Sequence, residues 1–340
     1  MVAHAPRPPR RLLLASLLAA TMPAAPRAQP AGGALTVGPG QRFATLAAAI
    51  AAARDGDEVL LRAGTYTDEF AIIGKRVTIR STGGMARLVA TQPPPNGKAI
   101  LVIGADVTIE GLEFTGTANP SQNGAGIRYE GGNLTIRRSH FHGNQMNLLA
   151  AAIPDGSITI EASEFGPTRA STSLSHSLYV NGIRALVVRD SFFHGALTGH
   201  QIKSRAFQTT ITGTRIFDDQ GGASYSVDLP NGGVGVLTGN VIEQGPNSRN
   251  PAIVNFGGEG WTHPVSSLRL AGNTVFNRLP SPGARLVANH IGPGVVVADN
   301  RIFGLDMRQL ASGAAALSGN TSLSTPPTLD RARPWQAPPR

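Results

Sequence analysis

The chain has 340 residues, 41 of them Gly, with 5% aromatics and no Cys, so its stability rests on burial and hydrogen bonding without disulfides. Its formal charge of +9 is spread along the chain, without a basic block interleaved with aromatics, which argues against a nucleic-acid partner.

The first residues read as an export signal. Arg7, Arg10 and Arg11 precede an apolar run from Leu12 to Met22, and "APRAQ" offers a small-residue cleavage point after Ala28. The run is too short to span a bilayer as a helix. Pro9 stands where a twin-arginine signal prefers Ser or Thr, which favours ordinary secretion. Removing residues 1–28 takes away four Arg and leaves +5. The expected organisation is a signal peptide at 1–28, one domain at 29–324 and a Pro-rich tail at 325–340, in a periplasmic or secreted protein. No later segment is apolar enough to enter a membrane.

Residues 44–53, "ATLAAAIAAA", predict an amphipathic helix ending at the turn "RDGD". From there a short pattern recurs: "VTIEGLEF" (107–114), "LTIRRSHF" (134–141), "ITIEASEF" (158–165) and "LVVRDSFF" (186–193). It continues more loosely to "VVVADNRIF" (295–303). Its final inward positions are Phe114, Phe141, Phe165, Phe193, Ile216, Ile242, Val275 and Ile302, at steps of 27, 24, 28, 23, 26, 33 and 27. Alternating apolar residues within each unit mark strands. A second strand series, "GIRY", "SLYV", "QIKS", "SVDL" and "IVNF", falls between the units. Two or three short strands per turn, with no room for helices, predict an all-β, single-stranded right-handed parallel β-helix with the 44–53 helix as its N-terminal cap. Ser139, Ser163, Ser191, Thr214, Asn240, Asn273 and Asn300 occupy equivalent turn positions and are read as structural, satisfying backbone groups.

The run from Phe43 to Ser81, "FATLAAAIAAARDGDEVLLRAGTY…GKRVTIRS", followed by the stacked units, resembles the right-handed parallel β-helix proteins of the pectate-lyase-like superfamily, over about Leu35–Ser324. The resemblance implies the fold. For activity it leaves polysaccharide lyases, glycoside hydrolases, epimerases, esterases and non-catalytic adhesins open.

In such a coil, repeat position predicts neighbours in space. Aligning the second series places Tyr179, Lys203, Asp228 and Asn255 in one outward column, with Arg128 further back. His176, His200 and Tyr225 stand three residues earlier on their turns, and Arg205 two residues after Lys203. As an ordinary surface these groups form cross-strand ion pairs. As a site they suit β-elimination on an acidic polysaccharide, in which a base removes the C5 proton and cations neutralise the carboxylate. Lys203 then serves as base, Arg205 as carboxylate clamp, and Tyr179, Tyr225 or His200 as proton donor. His200 as base with Lys203 as neutraliser is the alternative permutation. Arg205 should lower the Lys203 pKa and Asp228 should raise it.

His176, Tyr225, Asp228, Asn255, Arg128 and Trp261 are the expected substrate contacts. Trp261 stands in an insertion, "GGEGWTHP", which accounts for the 33-residue step and which lies beside the Lys203 face. No cofactor and no metal are expected, because no acid stacks beside Asp228 as calcium would require. In lyases resembling chondroitinase B the Lys and Arg sit on separate turns beside acidic calcium ligands. Those ligands have no match here, so the roles are not carried over. Glycoside hydrolysis needs two carboxylates. "DD" at 218–219 and "GHQIK" resemble fragments of polygalacturonases in the wrong order, so "DD" is read as a turn, and an Asp228–Glu259 pair is the remaining candidate. The non-catalytic alternative is a scaffold that binds a glycan along its long face. The Pro-rich tail is expected to lie extended along the coil or loose, with Trp335 as a candidate cap for the C-terminal end.

Overall fold

The computed structural model describes residues 34–169 and 175–336. The predicted signal peptide lies outside these residues. The chain winds into an all-β parallel solenoid of about 11 turns. Each regular turn carries three short strands. The first is exemplified by Val107–Glu110, Asn133–Arg137 and Gln208–Thr212. The second follows at Leu112–Thr115, His140–His142 and Arg215–Phe217. The third follows at Ala125–Tyr129, Met146–Ala150 and Ile202–Ser204. The first and second series merge into one 21-stranded sheet, and the third forms a 10-stranded sheet.

The predicted register holds along the coil. Phe114, Phe141, Phe165, Phe193, Ile216, Ile242, Val275 and Ile302 pair in succession and are all buried. Strand spacing forces the four Phe rings into a face-to-face stack, with centroids 4.6–4.7 Å apart. Inward apolar residues alternate with outward ones in most strands, so the main hydrophobic core runs along the coil.

The corner between the first and second strands is built twice over. The residue before the ladder position takes a left-handed conformation, as at Arg138, Ala162, Asp190, Gly239 and Gly272. The ladder side chain then accepts from the main-chain N–H of its counterpart one turn back. Ser163 Oγ accepts from Ser139 N at 3.2 Å, and Asn273 Oδ1 from Asn240 N at 2.9 Å. The ladder runs one step beyond the sequence reading, to Asn320.

A helix, Leu46–Ala52, buries Leu46, Ala49 and Ile50 in the core and packs on the first strands of the coil. Thr45 caps its N-terminus, and Lys75 Nζ donates to the Ala51 and Ala53 carbonyls at its other end.

The tail departs from expectation at Trp335. It does not cover the C-terminal end. The tail runs back along the side of the coil, because its charges find partners on earlier turns. Asp330 pairs with Arg215 at 2.7 Å, Arg331 pairs with Asp219, and Trp335 Nε1 donates to Glu164 at 2.8 Å.

Candidate functional site

The third strands carry the predicted column. Arg128, Leu149, Tyr179, Lys203, Asp228 and Asn255 are consecutive partners across five parallel pairings. Their neighbours Ile127, Leu148, Leu178, Ile202, Val227 and Val254 point inward and are fully buried. Between Arg128 and Tyr179 the column is filled by Leu149. It packs with Val102, Met146 and Tyr179 as an apolar half of the same face.

The column points away from the core, yet Lys203 is only 7% exposed and Asp228 2%. Burial demands partners. Lys203 Nζ lies 2.9 Å from Asp228 Oδ2 and 2.7 Å from Glu259 Oε1. Asp228 also accepts from Asn255 Nδ2 at 2.7 Å and has His200 Nε2 at 3.3 Å. Asn255 Oδ1 is buried without a hydrogen-bond partner among the described residues. Arg205 reaches the same carboxylate as Lys203, with its NH2 on Glu259 Oε2, while its Nε donates to the Tyr179 hydroxyl at 3.1 Å and its NH1 to Asn231. One carboxylate thus bridges two cations.

Glu259 comes from the insertion. Backbone bonds from Gly257 to Leu229, from Glu259 to Pro230 and from Thr262 to Asn231 pin that loop against the column. Trp261 is left 65% exposed beside it. The Glu259 side chain is itself about half exposed, at 47%, so solvent reaches the cation pair through it.

The electrostatics assign charge states. Burial pulls the Lys203 pKa down, but Asp228 and Glu259 outweigh it and the net shift is upward. The expected depression by Arg205 does not prevail, so Lys203 remains an ammonium and is unsuited to act as the base. Burial raises the Asp228 pKa, with Lys203 and Asn255 opposing. Burial also raises the Glu259 pKa, and its bonds to Lys203 and Arg205 reverse this to a net lowering.

Burial, then the charge of Lys203, holds His200 down to about 3, and burial followed by His200 and Lys203 holds His176 down to about 2. Both imidazoles are neutral at neutral pH. The amide of Tyr225 donates to His200 Nδ1 and that of His200 to His176 Nδ1, each at 3.0 Å. The ring proton of each therefore sits on Nε2. His200 has no free lone pair, so the permutation that makes it the base loses its footing. The rings of His176, His200 and Tyr225 form a stack, with centroids 4.8 and 5.3 Å apart.

Nine of the ten expected residues lie together or directly beside the cluster. Arg128 does not join them. Leu149 separates it from Tyr179, and its guanidinium pairs with Glu130 at 3.3 Å. Two members escaped the sequence reading. Glu259 was visible only as a conceivable partner of Asp228, and Asn231 had no signal beyond following the "VDLP" strand. The Asp218–Asp219 pair does form a turn, with Asp219 in a left-handed conformation and Asp218 buried under hydrogen bonds from Ser248, Gly245 and Gln201.

No protein-family model matches the chain, and no curated protein matches it in sequence. Solved structures do. Pectate lyase Pel9A superposes with a TM-score of 0.51 at 14% identity, covering 86% of this chain and 79% of its own. The PL6 family alginate lyase AlyGC gives a TM-score of 0.44 at 17% identity over 88% of this chain, which spans 41% of the lyase. PfbA, a surface adhesin of Streptococcus pneumoniae, gives 0.49 at 12% identity, covering 78% of this chain and 83% of its own. At such identities the likeness speaks for architecture alone, and the observed pairing agrees with it: the chain is a parallel β-helix.

Proposed function

We propose that the protein is exported, binds an acidic polysaccharide on the Lys203 face and cleaves it by β-elimination. The observation that carries this reading is the Glu259 carboxylate, held by Lys203 and Arg205 in a position that solvent reaches. It stands where a uronate carboxylate would bind. On binding, the uronate takes over both cations as the half-exposed Glu259 side chain turns out to solvent, and Trp261 on the same loop stacks against a neighbouring sugar ring. Lys203 and Arg205 neutralise the carboxylate as the C5 proton leaves, supplying the positive charge that β-elimination needs.

Lys203 is an ammonium and the His200 lone pair is taken, so the proton falls to Tyr179, whose oxygen already faces Arg205. Tyr179 gives its own proton to solvent and reacts as the phenolate beside Arg205. It accepts the C5 proton, the C4–O bond breaks as the C4–C5 double bond forms, and the same proton passes to the leaving oxygen, which restores the phenolate. Asp228, Asn255, His200, His176 and Tyr225 keep Lys203 and the ring stack in place. Nothing in this scheme calls for a metal ion on this face.

The test is digestion of pectate, alginate, glycosaminoglycans and bacterial exopolysaccharides, read by the ultraviolet absorbance of an unsaturated uronate. Wild type should produce it from at least one polymer. Tyr179→Phe should abolish cleavage while retaining binding, and Arg205→Ala should lose both. Saturable binding without product from any polymer would replace the lyase reading with that of a glycan-binding scaffold. Cleavage by Tyr179→Phe at the wild-type rate would overturn the proton assignment.

A further inference from the structure

The second strand series presents a different chemistry on another wall of the coil. In "HFH" the alternation of a strand sends Phe141 inward and both His140 and His142 outward. Register sets Glu113 beside His140 on one side and Glu164 beside it on the other. Glu113 Oε1 lies 3.0 Å from His142 Nε2, and the two imidazoles stack with centroids 4.4 Å apart. One ligand atom from each of Glu113, His140 and His142 falls within 4.8 Å of the others. They face a cavity of about 370 Å³, with Glu164, His194 and Arg333 on its rim.

We propose that Glu113, His140 and His142 bind one divalent first-row transition-metal ion, zinc being the expected occupant, with a further coordination position open to the cavity. Two imidazole nitrogens and one carboxylate oxygen select zinc, cobalt, nickel or copper over calcium and magnesium, which prefer all-oxygen shells. Donors of a tetrahedral zinc site lie about 3.4 Å apart, given metal–ligand distances near 2.1 Å. The Glu113–His142 pair is already that close, and the His140 donor, within 4.8 Å of both, has at most about 1.4 Å to draw in. Glu164 Oε1, 3.6 Å from His140 Nε2, is the outer carboxylate that orients a metal-binding imidazole.

The tail forms the roof of this site. Trp335 bonds to Glu164, and its ring centroid lies 6.0 Å from that of His140. Arg87 bonds the same Glu113 Oε1 at 2.8 Å and holds the carboxylate toward His142, so an ion would take the place of the Glu113–His142 hydrogen bond. The inference stands apart from the lyase reading, since none of these residues belongs to the Lys203 cluster.

Trp335 also supplies the assay. The chain has two Trp, so Trp261→Phe leaves Trp335 as the only indole. In that background, with the full chain free of any histidine tag, Co²⁺ should quench fluorescence saturably with one equivalent bound. Zn²⁺ should restore the emission by displacing Co²⁺, and Ca²⁺ or Mg²⁺ should not. His142→Ala and Glu113→Gln should each weaken Co²⁺ binding at least tenfold. Circular dichroism and the urea midpoint check folding, and if His142→Ala is misfolded the nearly isosteric Glu113→Gln decides. Absence of saturable quenching, equal displacement by Ca²⁺, or full affinity in folded Glu113→Gln or His142→Ala would each overturn the site.

Discussion

Glu259→Gln tests the exchange of carboxylates most directly. In the free protein Glu259 holds Lys203 at 2.7 Å and also holds Arg205, and a uronate must displace it to bind. Because the Glu259 side chain is 47% exposed, each contact is worth only what exposed ion pairs are worth, about 0.2–1 kcal/mol. Two contacts therefore oppose the ligand by about 0.4–2 kcal/mol, and removing the charge should tighten oligouronate binding roughly 2- to 30-fold. Calorimetric titration with an acidic oligosaccharide reads this, beside a neutral oligosaccharide of equal length as control. Folding stability should fall slightly over the same step. Unchanged or weaker oligouronate binding by folded Glu259→Gln would refute the reasoning, as would an equal gain for the neutral sugar.

Two further predictions concern the coil itself. Burial raises the Asp218 pKa to about 6, with Ser248 opposing and the charge of Glu243 adding to the rise. A carboxyl with a raised folded pKa contributes fully below the unfolded value of about 3.8 and loses that contribution as pH climbs through about 6. The stability of Asp218→Asn relative to wild type should therefore grow by about 2 kcal/mol between pH 4 and pH 6, out of a full swing of about 3 kcal/mol, and level off above about pH 7. Urea melts of both proteins across that range measure it, and a flat difference would contradict the burial argument. Asn273→Ala leaves the Asn240 amide, the Leu237 carbonyl and Asn300 Oδ1 each short of a partner, and should cost about 3 kcal/mol. Asn273→Ser should recover part of the loss, since Ser fills the same rung at Ser163 and Ser191. A cost under about 1 kcal/mol for Asn273→Ala would mean that the rungs contribute less than buried hydrogen bonds should.

The coil was legible because its physics is local and repeated. Alternation sets which residues face inward, and a parallel array in near register turns a spacing of 24 or 25 residues into a contact, as at Tyr179–Lys203–Asp228. The same logic foresaw the Ser and Asn rungs. It was blind where the chain leaves the repeat. Glu259 arrives from an insertion whose path depends on backbone bonds to Leu229, Pro230 and Asn231, and no periodicity encodes those. Asp228, foreseen beside Lys203, is the larger influence holding its proton, and Glu259 adds to it. The Trp335 error has the same origin, for the tail follows scattered partners at Arg215, Asp219 and Glu164. The His140–His142 pair stands plainly in "HFH", but the repeat is marked by its inward Phe and not by the two outward His.

The returning tail bears on how such a molecule comes apart. A solenoid held only by nearest-neighbour contacts can fray from either end, one coil at a time. Here Asp330, Arg331 and Trp335 tie the last residues to turns more than a hundred positions earlier in the chain. The tail thus acts as a lengthwise brace: peeling the final coils away must also strip it from the middle turns, which favours concerted over stepwise melting.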